Sequence, residues 1–359
     1  MKAPMHRHRI PTNDDMLHSI DPTGLTGYPV DRPLTDAERD LQLKQKERLE
    51  VEPYDNLCVI ELNSTYLESV DKWFAWKGVT AVLPLLMIFG CVVVWCMMAQ
   101  IAWARAPGMW PNTEDMWFMV SITVMLLLFA AFMGWFICRE WFAYTHYPMR
   151  FNRQTGMVHV FQRDGSVLSE RWDKLFFTLS YLSELRLWEV RGHVLTRNRA
   201  TVRATFALSY RGECNVRSSV MPYHSFSGRD LVRAHWEFIR RYMEEGPQAV
   251  IDCVDYCMPV AGRRERFGVG LARSLANCAG APWILYVTEW PICVVVGLLR
   301  PLAMRSCKIP QWSAEVEADT VTDANDRHAI SGDPVTAAAV AVTPDSAGDH
   351  PAPHDKAPR

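Results

Sequence analysis

Two stretches of the chain carry no charge: Gly78 to Ala104, bounded by Lys77 and Arg105, and Met116 to Cys138, bounded by Asp115 and Arg139. They run for 27 and 23 residues. About 20 helical residues, rising about 1.5 Å each, cross the hydrocarbon of a bilayer. Pro84 and Gly90 lie in the first stretch, and such residues are tolerated where neighbouring groups re-satisfy the backbone. The pattern predicts a transmembrane helical hairpin over residues 78–138. Trp73 and Trp76 precede it, Trp103, Trp110 and Trp117 surround the connection, and Trp135 and Trp141 mark the return. Aromatic belts of this kind favour the membrane–water boundary.

Basic residues set the expected orientation. Lys72, Lys77, Arg139, Arg150 and Arg153 flank the hairpin, while the connection Arg105–Asp115 holds Arg105 with Glu114 and Asp115. That asymmetry predicts a multi-pass protein with both termini in the cytoplasm. The connection has only eleven residues, too few to build a site.

Beyond the hairpin, apolar runs give way to alternation. Met157 to Arg163 leads into Asp164-Gly165, a hairpin signal, and Ser166 to Trp172 forms the return strand. Phe176–Leu182 and Leu185–Val190 read as further strands, with Arg191-Gly192 as a turn. Val202, Ala204, Phe206 and Leu208 alternate with Thr201, Arg203, Thr205 and Ser209, giving one buried face. After Arg211-Gly212 comes a strand from Asn215 to Met221. An amphipathic helix then closes the module, with Ser227 as N-cap and Gly246-Pro247 as stop. Its apolar stripe is Leu231, Val232, His235, Trp236, Phe238, Ile239, Tyr242 and Met243. Arg233, Glu237, Arg240, Arg241, Glu244 and Glu245 form its polar face. The expected fold class is membrane α+β: a transmembrane helical hairpin plus a cytoplasmic strand-rich module, residues 139–247, closed by that helix.

Residues 1–77 read as a cytoplasmic region that is loose up to Pro33. A capping box, Thr35-x-x-Glu38, then opens a helix to about Glu50, and Leu57–Leu62 follows as a strand. Residues 248–311 contain a third apolar stretch, Ala279 to Leu299, broken by Pro282, Pro291 and Gly297 and holding Glu289. Both its flanks are basic, with Arg263, Arg264, Arg266 and Arg273 before it and Arg300, Arg305 and Lys308 after. We read it as a re-entrant or interfacial helix pair, with a full span or a buried core segment as alternatives. Such flanks also suit anionic lipid headgroups. Residues 312–359, rich in Ala, Asp, Pro, Thr and Val, read as a disordered tail.

Chemistry is sparsely signalled. The formal net charge of -2 implies no general electrostatic affinity for nucleic acid or anionic lipid. No secretory leader is expected from residues 1–33. Cys91, Cys96 and Cys138 lie within apolar runs, and Cys253-x-x-x-Cys257 lacks zinc-knuckle spacing, so reduced structural thiols are expected and no metal or cofactor. No phosphate loop, His-Glu-x-x-His or Gly-x-Ser-x-Gly is present, so no catalytic residue is assigned. Glu289, an ionisable group in an apolar run, is the single functional candidate. His193 and His224 are expected to sit at strand or turn ends, solvated or hydrogen-bonded.

Two resemblances extend this reading. Two spans followed by about seven strands and one helix, Gly78 to about Gly246, resemble bacterial membrane proteins carrying pleckstrin-homology-like domains. Tyr147-Pro148-Met149-Arg150-Phe151-Asn152-Arg153, Arg163-Asp164-Gly165, Trp172-Asp173-Lys174-Leu175 and Trp236 to Pro247 are similar to an uncharacterised proteobacterial family. Its members resemble proteins encoded beside type VI secretion effector genes. That resemblance implies a non-enzymatic immunity or accessory protein whose partners are the bilayer and a secreted toxin effector. A membrane scaffold whose domain binds lipid or a partner helix is the alternative.

Overall fold

The computed structural model describes residues 28–74, 77–103, 113–182, 187–208, 228–276, 283–323 and 325–332. In chain order its elements begin with β1 (Arg32–Pro33), α1 (Asp36–Asp40), β2 (Gln42–Leu43), β3 (Val59–Leu62) and β4 (Tyr66–Ser69). Two long helices follow, α2 (Val82–Trp103) and α3 (Thr113–Trp141). Next come β5 (Met149–Asn152), β6 (Met157–Phe161), β7 (Val167–Arg171), β8 (Phe176–Leu182), β9 (Leu187–Leu195) and β10 (Thr201–Ala207). The remainder is α4 (Gly228–Glu245), α5 (Phe267–Ala276), α6 (Trp283–Ser306), α7 (Ala314–Asp319) and β11 (Ile330–Ser331). The architecture is α+β, with two antiparallel sheets and two apolar helices.

One sheet runs β1-β10-β9-β8-β2 and the other β11-β3-β4-β5-β6-β7. In the second, β4 pairs directly with β5, Tyr66 opposite Asn152 and Ser69 opposite Met149. The whole α2–α3 hairpin is therefore inserted between two neighbouring strands. Both its ends return to one sheet.

α2 and α3 are long and apolar enough to cross a membrane, and their apolar windows are only 11% and 0% buried. A core helix of this composition would be covered by protein on most sides. Leu86, Phe89, Leu127, Leu128 and Phe132 all point outward. The hydroxyls of Ser121 and Thr123 donate to the carbonyls of Trp117 and Met119 one turn back, which meets their hydrogen-bonding need inside the helix itself.

Among the described residues, the larger of two core clusters fills the space between the sheets and α4, and a second gathers Ile60, Val70, Phe74, Met258 and Met304. Trp236 and Trp172 stack at 5.4 Å between ring centroids, with Phe177 4.5 Å from Trp236 and Phe206 edge-on to Phe177. Leu62, Leu67 and Phe151 reach this cluster from the second sheet. The Tyr242 hydroxyl donates to the Asn63 carbonyl at 2.8 Å, fastening α4 to the β3–β4 turn.

Several elements depart from the sequence reading. The Thr35–Glu38 capping box forms, but α1 ends at Asp40 because residues 42–43 add an edge strand to β8. There the Gln45 amide also donates to the carbonyls of Trp172 and Leu175. Tertiary pairing overrides the local propensity. Arg191-Gly192 is no turn. β9 runs straight through it, and a Cβ on Gly192 would lie 2.5 Å from the Phe206 ring, so glycine is there to admit the ring.

The polar face of α4 is covered rather than solvated. Glu237 and Arg240 are buried beneath the 45–54 segment, where Leu49 N–H donates to Glu237 and Tyr54 N–H to the Ala234 carbonyl. Residues 312–332, taken from composition as tail, hold α7 and β11. β11 pairs with β3, and Val316 and Thr320 are buried. The expected Ser227 cap and the strand from Asn215 to Met221 lie outside the described residues. The observed sheets draw strands from before the hairpin, after it and near the end of the chain, so the strand-rich unit is not confined to 139–247.

Candidate functional site

Besides the buried pairs Glu68–Arg150 and Glu237–Arg240, three further places among the described residues bury charge, and each joins segments distant in sequence. On β9, Glu189, Arg191 and His193 share one face while Val190 and Val194 face the core, as period two requires. Glu189 is wholly buried. It accepts from Lys72 Nζ and Arg191 Nε, both at 2.5 Å. Burial alone would raise the Glu189 carboxyl, but Lys72 and Arg191 overcome that and hold it below the ordinary carboxylate value. Tyr28 adds a hydroxyl contact and a ring beneath both cations. Further along, His193 Nε2 lies 3.3 Å from Glu38, which also pairs with Arg32 at 2.6 Å. His193 is fully buried within β9, hydrogen-bonded through Nδ1 at 2.7 Å to Thr205 Oγ1 rather than solvated at a strand end. Desolvation lowers its pKa despite Glu38.

The second place lies between β3 and the 255–258 segment. Asp55 is buried, and Asn56 and Leu57 adopt left-handed φ of 58° and 50°, which is strained for a bulky residue such as Leu57. Leu57 N–H donates to Asp55 Oδ1 at 3.1 Å, and Cys58 Sγ donates to the Asp55 carbonyl. Burial pushes the Asp55 carboxyl up to about 7, and the nearby Asp255 charge adds to this against the pull of backbone N–H groups. Because the folded pKa is raised, the native state resists ionising Asp55 while the unfolded chain does not. The group's contribution to stability therefore falls as pH rises from about 4 to about 7. Asp55→Asn is expected to raise the melting temperature of the full chain at pH 8, by on the order of a few kcal/mol of stability. Melting curves across pH should converge near pH 4, and a pH-independent difference would contradict this origin.

The third place is the base of the α2–α3 hairpin. Arg300 of α6 is buried. Its Nε donates to Glu265 at 2.5 Å and its Nη1 to the carbonyls of Phe74 and Lys77, with the Phe74 ring 4.8 Å away. Gly78 has φ of 88° and a virtual Cβ 2.8 Å from Arg300 Cα, so only glycine fits the entry to α2. Glu140 of α3 accepts from Gly78 N–H and from the Thr80 hydroxyl. Lys77 Nζ donates to the carbonyls of Glu140 and Tyr144. Past α6, Lys308 N–H donates to the Ala143 carbonyl and Thr145 N–H to that of Lys308. Arg264 caps the last turn of α6 through the carbonyls of Met304 and Cys307. Hairpin entry, hairpin exit, α5 and α6 are thereby locked at one level.

A Ser, a His and an Asp also meet at the end of the second sheet. Ser64 Oγ donates to Asp326 Oδ1 at 2.7 Å and lies 3.2 Å from His328 Nδ1, while Asp326 also accepts the N–H groups of Ser64 and His328. In a hydrolytic relay the imidazole bridges serine and carboxylate. Here the carboxylate accepts the serine hydroxyl's hydrogen bond directly, and the three hold the β11 segment to the β3–β4 turn.

Glu289, the sequence candidate, falls within α6, but its side chain is outside the described ones, as is His224. Of the third apolar stretch, residues 283–299 lie in the single helix α6, with Gly297 against Leu271 of the preceding α5. Cys293 is disulfide-bonded, unlike the reduced thiols expected throughout. Arg150 and Lys72, counted with the topogenic flank, are instead buried in pairs with Glu68 and Glu189. Of the residues that organise the base, Arg300 and Lys77 read from sequence only as flanking charges, and Glu265 is not singled out. The one available signal was Arg300 directly ending an apolar run.

No curated protein and no solved structure matches the chain. A family model, described as a family of unknown function (DUF6708), matches residues 123–324, from within α3 through the α5–α6 pair to the residues after α7. This is more than half of the sequence, and the chain belongs to that family.

Proposed function

We propose that the protein is a non-enzymatic, multi-pass inner-membrane protein with both termini in the cytoplasm, serving as an immunity or accessory protein for type VI secretion effectors. The observation that carries the anchoring is the exposed apolar hairpin set between paired strands β4 and β5. Strands that pair in one sheet lie on one side of a bilayer, so both hairpin ends return to the same face. The protective role is supported by the resemblance of the Tyr147–Arg153, Trp172–Leu175 and Trp236–Pro247 motifs to proteins encoded beside such effector genes.

The connection between α2 and α3 is too short to bind a folded toxin. The two-sheet domain therefore meets the toxin at the bilayer or on the cytoplasmic face, where anchoring raises its local concentration. Strands β5–β10 followed by α4 support the comparison with pleckstrin-homology-like modules. A lipid- or partner-binding scaffold built on the same domain is the alternative.

Producing the neighbouring effector alone should arrest growth, and adding the full chain should restore it. Joining β4 to β5 without the hairpin should abolish rescue. Truncation after Gly332 should preserve rescue, whereas truncation after Asp323 should lose it by removing Asp326 and β11. Growth unaffected by the protein with every adjacent effector would overturn the immunity reading, and a co-purifying membrane partner would then favour the scaffold.

A further inference from the structure

We propose that the base of the hairpin is an anionic-phospholipid binding collar, an inference that rests on the membrane-anchored reading. Segments 139–145, 263–267 and 304–308 meet there through the backbone contacts of Lys308 and Arg264 described above. They expose Arg139, Arg264, Arg266, Arg305 and Lys308 together. The two acidic residues at this level are already engaged: Glu140 by Gly78 and Thr80, and Glu265 by Arg300. The exposed charge is accordingly predominantly positive, five cations against the half-buried Glu140 carboxylate.

Exposed apolar side chains stand among these cations, Phe142 and Phe267 on the flanking segments and Leu302 on α6. The surface then continues upward. α6 buries Val296, Arg300, Ala303 and Met304 on one side and exposes Ile292, Val295, Leu298 and Leu302 on the other. That exposed stripe lies beside the lipid-facing surface of α2 and α3. A ring of cations directly beneath a continuous apolar surface matches the two halves of an anionic phospholipid, phosphate below and acyl chains above. Soluble acidic proteins would match the ring but not the apolar stripe.

The test uses the full chain reconstituted in vesicles of equal parts phosphatidylglycerol and phosphatidylcholine. It is then extracted in mild neutral detergent, and the co-purified lipid is measured by mass spectrometry. Phosphatidylglycerol should be enriched on the order of tenfold over its bulk ratio, since each cation near the headgroups favours the anion. The Arg266→Gln, Arg305→Gln, Lys308→Gln variant should fall towards parity. These three sites avoid Arg264, which caps α6. Arg266→Lys with Arg305→Lys should retain the enrichment, because charge carries it, and so should Arg199→Gln with Arg203→Gln in the first sheet. Parity in the wild-type chain, or enrichment that survives the triple variant, would overturn the collar. Failure of the membrane reading looks different: the chain would wash off the vesicles in alkaline carbonate.

Discussion

Replacing Glu189 by leucine is expected to destabilise the two-sheet domain by about 3–5 kcal/mol, a large share of the about 5–15 kcal/mol that holds an ordinary domain folded. The carboxylate is the shared acceptor of Lys72 and Arg191, all three nearly or fully buried. Removing it leaves two cations in a low-dielectric site without the charge that offset their desolvation. Lys72 belongs to the segment leading into α2, so the loss should loosen the hold of the first sheet on the hairpin entry as well. Changing the triad together, Lys72→Met, Glu189→Leu and Arg191→Met, should recover much of the stability, because apolar replacement of a whole buried ion cluster is often neutral. The pH dependence has a definite sign. A carboxyl with a lowered folded pKa stabilises above its unfolded value, near 4.3, and that contribution is lost as pH falls through the folded pKa. Chemical denaturation of the single and triple variants measures this, and wild-type stability of Glu189→Leu would contradict it.

How much of this was legible in the sequence depends on the range of the interaction. The two apolar helices, the Asp164-Gly165 hairpin and the stripe on α4 are set by local composition and period. The structure places α2, α3, β6–β7 and α4 close to those limits. Pairings across long separations left no local trace. Nothing near Leu57–Leu62 announces that β3 pairs with β11, some 270 residues on, or that β4 pairs with β5 across the hairpin. Glu189-x-Arg191-x-His193 did carry a signal, three ionisable residues at period two in a strand, but Gly192 drew the reading towards a turn. The candidate base was missed for a similar reason. Arg300 reads as a flanking charge until Glu265 and the carbonyls of Phe74 and Lys77 are seen around it.

Phe206→Asp is the second large effect. Phe206 is 6% exposed, edge-on to Phe177 and over Gly192. Removing the ring costs about 3–5 kcal/mol by itself, and a carboxylate in its place adds several more. The domain should not fold. Arg203, three residues earlier on β10 and exposed, should accept Asp within about 0.5 kcal/mol. Limited proteolysis of the membrane-inserted full chain reports both. Equal sensitivity of the two variants would mean that the faces of β10 are assigned the wrong way round.

The central claim is that the α2–α3 hairpin crosses the bilayer and returns to the sheet it left. Its most direct measurement is the sidedness of reporter tags at three positions: the N-terminus, the connection between Arg105 and Asp115, and the C-terminus. The account predicts cytoplasmic signals from both termini and a periplasmic signal from the connection. A connection on the same side as both termini would show that the hairpin does not cross, and termini on opposite sides would contradict the shared sheet of β4 and β5.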